Sequence, residues 1–477
     1  MSFPAVRCLL GFLITCFGSS GVVLGQRPAQ APGSAVPAAT VSGNPRIWDT
    51  GVEAYPVYFG SKSAFAWTTV QPNGPGGGSS GTGFDVVRLE YRSQTVTWLG
   101  VALIRLHSLE NGRLLITVSE AGKYDYNGDG DKTDGVVVVY DEATESILPI
   151  PLAVKWSMAG NAEPWVQRLG DAALVQADEA TQGQDLNGDG DLLDQVLHAA
   201  DLSTGSVTNL GIVATAYPID VRTPSRRFVL QVEEASVGDL NGDGDALDGV
   251  LELYNPEAGT LENLGIAGEP AAASQDYLVV GVFESEQGGV SLNGDGDTWD
   301  TVLHSVELAT STITNLGYAG SGPELVTVEG KYALAGISEF SQGADLNGNG
   351  NSFDDAIVAF DLSTSSAVNT ALAVDRNWLD MTICNDVGGF VVSEFKQGTD
   401  LNGNGTNVDL VPVAYDFKSG TTTNTGVAVP YLSPFAVDLL HSDSSGRLLF
   451  PTDETANGAD YNGDGDKLDH GYGAFSL

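Results

Sequence analysis

The chain has 477 residues, with 62 acidic against 21 basic side chains and a formal net charge of −41. That excess of negative charge argues against nucleic acid and anionic membranes as partners. With 42% hydrophobic residues, set in alternating runs, it has material for a core and is not an acidic disordered tail.

In chain order, residues 1–25 read as an export signal. Arg7 is a short basic start, Cys8 to Phe17 is an apolar run too short to span a bilayer, and cleavage is expected before Gln26. Cleavage would leave Cys384 as the one cysteine, so no internal disulfide is expected to hold the fold. Cys384 itself reads as a small buried apolar side chain. Residues 26–45 are rich in Pro, Ala, Gly and Ser and read as a flexible linker. No later segment is long and apolar enough for a membrane span. A secreted product is expected, either extracellular, periplasmic or at the cell surface.

From residue 46 to 477 the chain repeats. One pattern, D-x-N-G-D-G-D-x-x-D, recurs seven times, starting at Asp125, Asp185, Asp239, Ser291, Asp345, Asp400 and Asp460. The starts lie 60, 54, 52, 54, 55 and 60 residues apart, a period typical of propellers and solenoids. Around each copy lie four short runs with period-two alternation and β-branched residues, separated by Gly, Asn and Asp. RLLITVSE (113–120) precedes the first loop and DGVVVVYD (134–141) follows it. Later units add third and fourth runs such as SVTNLGIVA and YPIDVRT (217–223). Four antiparallel strands per unit make one propeller blade.

The expected fold is therefore all-β, an eight-bladed β-propeller of four-stranded antiparallel blades, with seven blades plus a small extra sheet as the alternative. The blades are expected at about 55–103, 104–160, 161–214, 215–268, 269–319, 320–373, 374–428 and 429–477. The last lacks a strand, which IWDTGVEA within residues 46–54 would supply, closing the ring and removing exposed sheet edges. The acidic loop falls between the second and third strands. The first blade has PNGPGGGSSGTG there, and no ion is expected in it.

The loops carry the chemistry. Asp or Asn at positions 1, 3, 5 and 10, with Ser291 replacing the first in the fourth copy, brings hard oxygen donors toward one centre, position 7 is expected to add its backbone carbonyl, and Gly at positions 4 and 6 permits the tight wrap. The candidate ligands are Asp125, Asn127, Asp129, Asp131 and Asp134 in the first loop, and Asp185, Asn187, Asp189, Asp191 and Asp194 in the second. The third offers Asp239, Asn241, Asp243, Asp245 and Asp248, and the fourth Ser291, Asn293, Asp295, Asp297 and Asp300. The fifth offers Asp345, Asn347, Asn349, Asn351 and Asp354, and the sixth Asp400, Asn402, Asn404, Thr406 and Asp409. The seventh offers Asp460, Asn462, Asp464, Asp466 and Asp469. Calcium, up to seven Ca²⁺ ions, is the expected cofactor. No Cys or His recurs in the loops to favour zinc, and magnesium demands stricter octahedral geometry. Solvated Asn-Gly and Asp-Gly turns would explain the glycines but not the clustered acids. Copies with fewer acids, the fourth, fifth and sixth, are expected to bind more weakly.

A Glu also recurs before each loop: Glu120, Glu179, Glu234, Glu284, Glu339, Glu394 and Glu454. Each is either a further ligand or an exposed strand-end acid. His198 and His304 occupy one repeat position and read as strand residues. The side chain at position 9, Trp299 or Phe353 in two copies, is expected to pack against its blade.

These loops resemble the calcium loops of FG-GAP and VCBS propeller repeats and, more loosely, thrombospondin type 3 loops and EF-hands. The resemblance implies similar ion chemistry. It does not imply integrin-like ligand binding, because the closing Asp stands at position 10 and the Phe-Gly and Gly-Ala-Pro marks are absent. Two function classes fit: a calcium-stabilised extracellular binding, adhesion or scaffold module for a protein or polysaccharide, and a polysaccharide-degrading hydrolase or lyase with its site in the central funnel. The repeat-equivalent character of the features favours the first, as a monomer.

Overall fold

The computed structural model describes residues 55–59, 62–69, 84–93, 95–121, 124–156, 165–221, 226–377, 380–430, 441–442 and 447–476. The export segment, the linker, the strand expected to close the ring and the acid-free loop at 72–83 lie outside the described residues. The fold is all-β, and its paired strands are antiparallel. The chain divides into two compact units, Met1–Ile104 and Arg105–Leu477.

In the first unit, strands Tyr55–Phe59, Ser63–Thr69, Phe84–Glu90 and Thr95–Trp98 pair in sequence order. Phe65, Val86 and Val87 are fully buried there. The carboxylate of buried Asp85 accepts hydrogen bonds from the backbone N–H groups of Val86, Gly100 and Val101 at 2.7, 3.2 and 3.0 Å. An acid is tolerated in this interior because its oxygens are satisfied.

A four-stranded sheet runs from Leu103 to Val154. A ten-stranded sheet follows over residues 166–319. It resolves into three four-strand meanders because two long strands are shared. Val207–Val221 pairs through its first half with Gln195–Asp201 and through its second half with Arg227–Glu233. Thr260–Ala273 does the same one repeat later. The third and fourth runs expected as separate strands are thus continuous here. Continuity breaks where Gly320-Ser321-Gly322-Pro323 intervenes and a single 3-10 turn, Pro323–Leu325, replaces extended chain. Two more four-stranded sheets span 326–374 and 381–424, and a three-stranded sheet over 441–475 completes the described residues.

The core lies between consecutive repeats. One cluster joins Leu115, Val137 and Ile150 of one repeat to Ala173, Val175 and Ala177 of the next. Leu174, between two of those residues in the same strand, faces the other way into a cluster with Phe228, Leu230 and Val232. The inner strands are therefore buried on both faces, and Gly135–Asp141 is buried over its first six residues. Each buried Leu or Val is worth roughly 1.5–3 kcal/mol, so stability accumulates interface by interface, as in other repeat architectures.

Short turns punctuate the strands. Glu179–Gln182 (α1), Glu339–Gln342 (α2), Glu394–Gln397 (α3) and Glu454–Asn457 (α4) are single helical turns. In the third loop's repeat Glu234–Ser236 is a 3-10 turn. Sequence periodicity missed them because four residues carry no period. Each of the four helical turns is capped by the Ser or Asp before it and ends on a left-handed Gly. Cys384, in strand Met381–Cys384, is half-buried rather than buried. Among the described residues no helix is long and apolar enough to cross a membrane.

Candidate metal centres

Each acidic loop joins the second and third strands of its repeat, as between Arg113–Ser119 and Gly135–Asp141. The second loop shows how the residues build it. Asp185 accepts from Gly188 N–H at 2.6 Å through Oδ1 and from Gly190 N–H at 3.1 Å through Oδ2. Asn187 Oδ1 accepts from Asp189 N–H, Asp189 Oδ1 from Asp191 N–H and Asp191 Oδ1 from Leu193 N–H, at 3.1, 3.0 and 2.8 Å. Gly188 and Gly190 sit at φ 85° and 100°, a region that favours glycine over any residue with a Cβ. Asn187 Nδ2 donates to the Oδ2 of the closing Asp194 at 2.8 Å.

The seven recurring glutamates are not exposed strand-end acids: they are 0–1% exposed. Each lies beneath its loop. Glu179 Oε1 accepts from the N–H groups of Leu186 and Asn187 at 2.6 and 3.3 Å, and Oε2 from that of Asp194 at 3.2 Å. The same three bonds recur at Glu234, Glu284, Glu339, Glu394 and Glu454. Each carboxylate therefore clamps both ends of its loop. Glu120 departs from this pattern: its Oε1 accepts from Tyr126 and Asn127, but its buried Oε2 has no hydrogen-bond partner.

In five loops the glutamate approaches the acids at positions 7 and 10 so that one oxygen of each lies within 4.8 Å of the others. These groups are Glu120 with Asp129, Asp131 and Asp134; Glu179, Asp191, Asp194; Glu234, Asp245, Asp248; Glu284, Asp297, Asp300; and Glu454, Asp466, Asp469. Full charges at that separation repel by roughly 1 kcal/mol per pair in water and about 3 kcal/mol at an effective dielectric of 20. Burial, the neighbouring acids Asp129 and Asp131 and a bond to Asp129 push the Asp134 carboxyl up to about 7. Burial with the charges of Asp243, Glu286 and Asp245 pushes Asp248 up to about 6. Asp194 and Asp300 move the same way, by burial first. An all-oxygen donor set, a buried oxygen without a partner and carboxyls that resist ionising together fit a hard divalent cation.

The fifth and sixth loops differ. In the fifth, Asn349 Nδ2 and Asn351 Nδ2 donate to Asp354 Oδ2 at 2.6 and 3.0 Å, and Lys396 Nζ lies 3.0 Å from Asp354 Oδ1. Burial acts to raise the Asp354 carboxyl, but Lys396 and the two amides outweigh it and hold it below the ordinary value. With Asp354 Oδ2 taken, the buried Asn347 Nδ2 is left without an acceptor. In the sixth, Asn404 Nδ2 donates to Asp409 Oδ2 at 2.6 Å.

Two sets of residues that sequence reasoning passed over hold the loops in place. Asn209, Asn263, Asn315, Asn369 and Asn424, on the fourth strands, donate through Nδ2 to the position 2 carbonyl of their loops at 2.7–2.9 Å. The signal was available: each stands 24 residues after position 1, as from 185 to 209 and from 400 to 424. The amide oxygens of Gln182, Gln287, Gln342 and Gln397 accept from Ala153, Ala267, Ala319 and Ala373 of the preceding repeat. Position 9 is also corrected. Leu193, Leu247, Trp299, Phe353 and Leu468 are 72–85% exposed rather than packed. Phe353 does stack on Phe340 of the adjacent helical turn, centroids 6.4 Å apart, and Phe340 is exposed too. His198 and His304 are buried, and burial lowers both below the ordinary range. Each pairs its Nδ1 with a carbonyl two residues earlier, that of Val196 or Val302.

No protein-family model matches the chain. No curated protein matches it either. Among solved structures it is similar to the β-propeller domain of the Trilobed protease from Pyrococcus furiosus, at 8% identity and a TM-score of 0.30, over 81% of this chain and 98% of that one. It is also similar to apo AztD from Citrobacter koseri, at 8% identity and a TM-score of 0.32, over 78% of this chain and 84% of that one. A third is puromycin hydrolase, at 11% identity and a TM-score of 0.28 over 72% of this chain; the chain spans 52% of that protein's length. Superposition at these scores is partial, and the sheet pairing described above stands on its own.

Proposed function

We propose that this chain is a secreted, calcium-binding β-propeller of eight blades, with FG-GAP/VCBS-like loops, acting as an extracellular binding or scaffold module. The four-strand meanders are its blades. The observation that carries the calcium reading is the recurring trio of one buried Glu and two Asp within 4.8 Å, found in five loops. Ca²⁺ would be held by the acids and amide oxygens of positions 1, 3, 5 and 10, with the position 7 carbonyl and, in the first loop, the spare oxygen of Glu120. When bound it supplies positive charge where the loop's own oxygens repel one another. It thereby fixes the rim of each sheet.

Binding is favoured over catalysis because the chemistry-bearing side chains recur at equivalent positions from repeat to repeat. A polysaccharide or protein partner would meet a rim that presents Trp299, Phe340, Phe353 and Phe395, all exposed. Isothermal titration of the metal-stripped protein with Ca²⁺ tests the reading. Several tight sites are expected, and an absence of heat and of bound ion would end it. N-terminal sequencing of the exported product should begin at Gln26.

A further inference from the structure

Consecutive repeats touch through the loops. In the third loop Asn241 Nδ2 donates to the Glu286 carbonyl of the next repeat at 2.8 Å. In the fourth, Asn293 Nδ2 donates to the Ser341 carbonyl at 2.8 Å; in the fifth, Asn349 Nδ2 to that of Lys396 at 2.7 Å; in the sixth, Asn404 Nδ2 to that of Ala456 at 2.7 Å. The acceptor is each time the second residue past the buried Glu: Glu284, Glu339, Glu394 and Glu454 respectively. One structural position in four consecutive repeats is thus fastened against the loop of the repeat before it. Its side chain differs in charge: acidic at Glu286, neutral at Ser341 and Ala456, basic at Lys396.

At Lys396 the consequence is visible. Its ammonium lies 3.0 Å from Asp354 Oδ1, with side-chain exposures of 32% for Lys396 and 6% for Asp354. The other oxygen of Asp354 is filled by two amide N–H donors from Asn349 and Asn351. The loop's closing carboxylate therefore meets an ammonium and two amide N–H groups, whereas in the five acidic loops it meets further carboxylates beside the amide of the position 3 Asn. An amide turned to donate offers no lone pair to a cation on that side. A fixed ammonium beside the same carboxylate repels any second positive charge.

We propose that the residue two past each buried Glu sets ion occupancy in the preceding loop, and that Lys396 serves the fifth loop as a built-in cation in place of Ca²⁺. The third loop, facing Glu286, is by the same logic the one whose ion is most favoured from across the repeat boundary. The inference rests on the calcium reading above and extends it by separating the loops.

Equilibrium dialysis of the full chain against radiolabelled Ca²⁺ tests it, with circular dichroism as the check on folding. The triple substitution Asn349→Asp, Asn351→Asp and Lys396→Glu should raise the number of bound ions by one, and an unchanged number would overturn the proposal. Asp354→Asn should leave the wild-type number unchanged, whereas Asp248→Asn should lower it by one. If Asp354→Asn also lowers the number by one, the fifth loop holds an ion; the proposal fails and the calcium reading stands. If the wild-type chain binds none, both fall together. Should Asp354→Asn not fold, the triple variant decides alone.

Discussion

The third and fifth loops share length, glycines, a clamping Glu and an Asn from the fourth strand, yet they are electrostatic opposites. In the third, Asp243, Asp245 and Glu286 crowd Asp248, whose carboxyl rises to about 6. In the fifth, Asn349, Asn351 and Lys396 surround Asp354 and lower its carboxyl. The backbone wrap therefore does not require clustered charge. It is built by Asx-type bonds and by the buried Glu, and the charges placed on it decide what it holds. A Ca²⁺-dependent stability is expected from loops of the third kind and a Ca²⁺-independent one from the fifth.

The largest effect that tests this contrast is chelation. An ion at a hundredfold excess over its dissociation constant stabilises the folded state by about 2.7 kcal/mol per site. EGTA should therefore lower the melting temperature sharply in scanning calorimetry, and a melting temperature indifferent to chelator would remove the structural role. Next is the clamp. Glu339→Ala strips three backbone N–H groups of their acceptor and should cost roughly 3 kcal/mol in urea denaturation. The loss should be the same with and without Ca²⁺. A Ca²⁺-dependent loss at this position would erase the distinction between the two loops.

Acid titration separates the loops by sign. Asp134 and Asp248 have carboxyls raised from 3.8 to about 7 and about 6. In chelator, their contribution to stability is full below pH 3.8 and is lost as pH climbs through those raised values. The lowered Asp354 behaves oppositely: its contribution is present above 3.8 and is lost as pH falls through its lowered value. Melting curves in EGTA should thus fall between about pH 4 and pH 7, and saturating Ca²⁺ should abolish that fall. Asp354→Asn should selectively remove stability that the wild type has above pH 3.8. The smallest effect belongs to the rim. Leu247→Ser and Phe353→Ser should each change stability by less than about 0.5 kcal/mol, because both side chains are exposed. Loss of partner binding without loss of stability would mark these residues as contacts.

Much of this was legible beforehand, for identifiable reasons. Alternating runs around D-x-N-G-D-G-D-x-x-D located the strands and put each loop between the second and third of them, because side-chain period and Gly-rich turns are local properties. The glutamates were noticed, but their burial depends on a loop folding back over the strand end, which residue spacing does not reveal. Asn209 was in view within SVTNLGIVA, and only the close approach of the fourth strand to the loop gives it and its equivalents a role. Position 9 was misjudged because Leu193 or Trp299 looks like core by composition, while its direction is set by the wrap of the loop.

What the sequence by itself determined is the local chemistry: oxygen-rich loops, glycines at the left-handed positions, and strands of seven or so residues with apolar faces. Only the tertiary structure decided which of those loops are electrostatically alike. Lys396 lies 42 residues from Asp354 along the chain, and only the stacking of one repeat against the next brings its ammonium to that carboxylate. Charge acts through space, and packing sets the distances over which it acts.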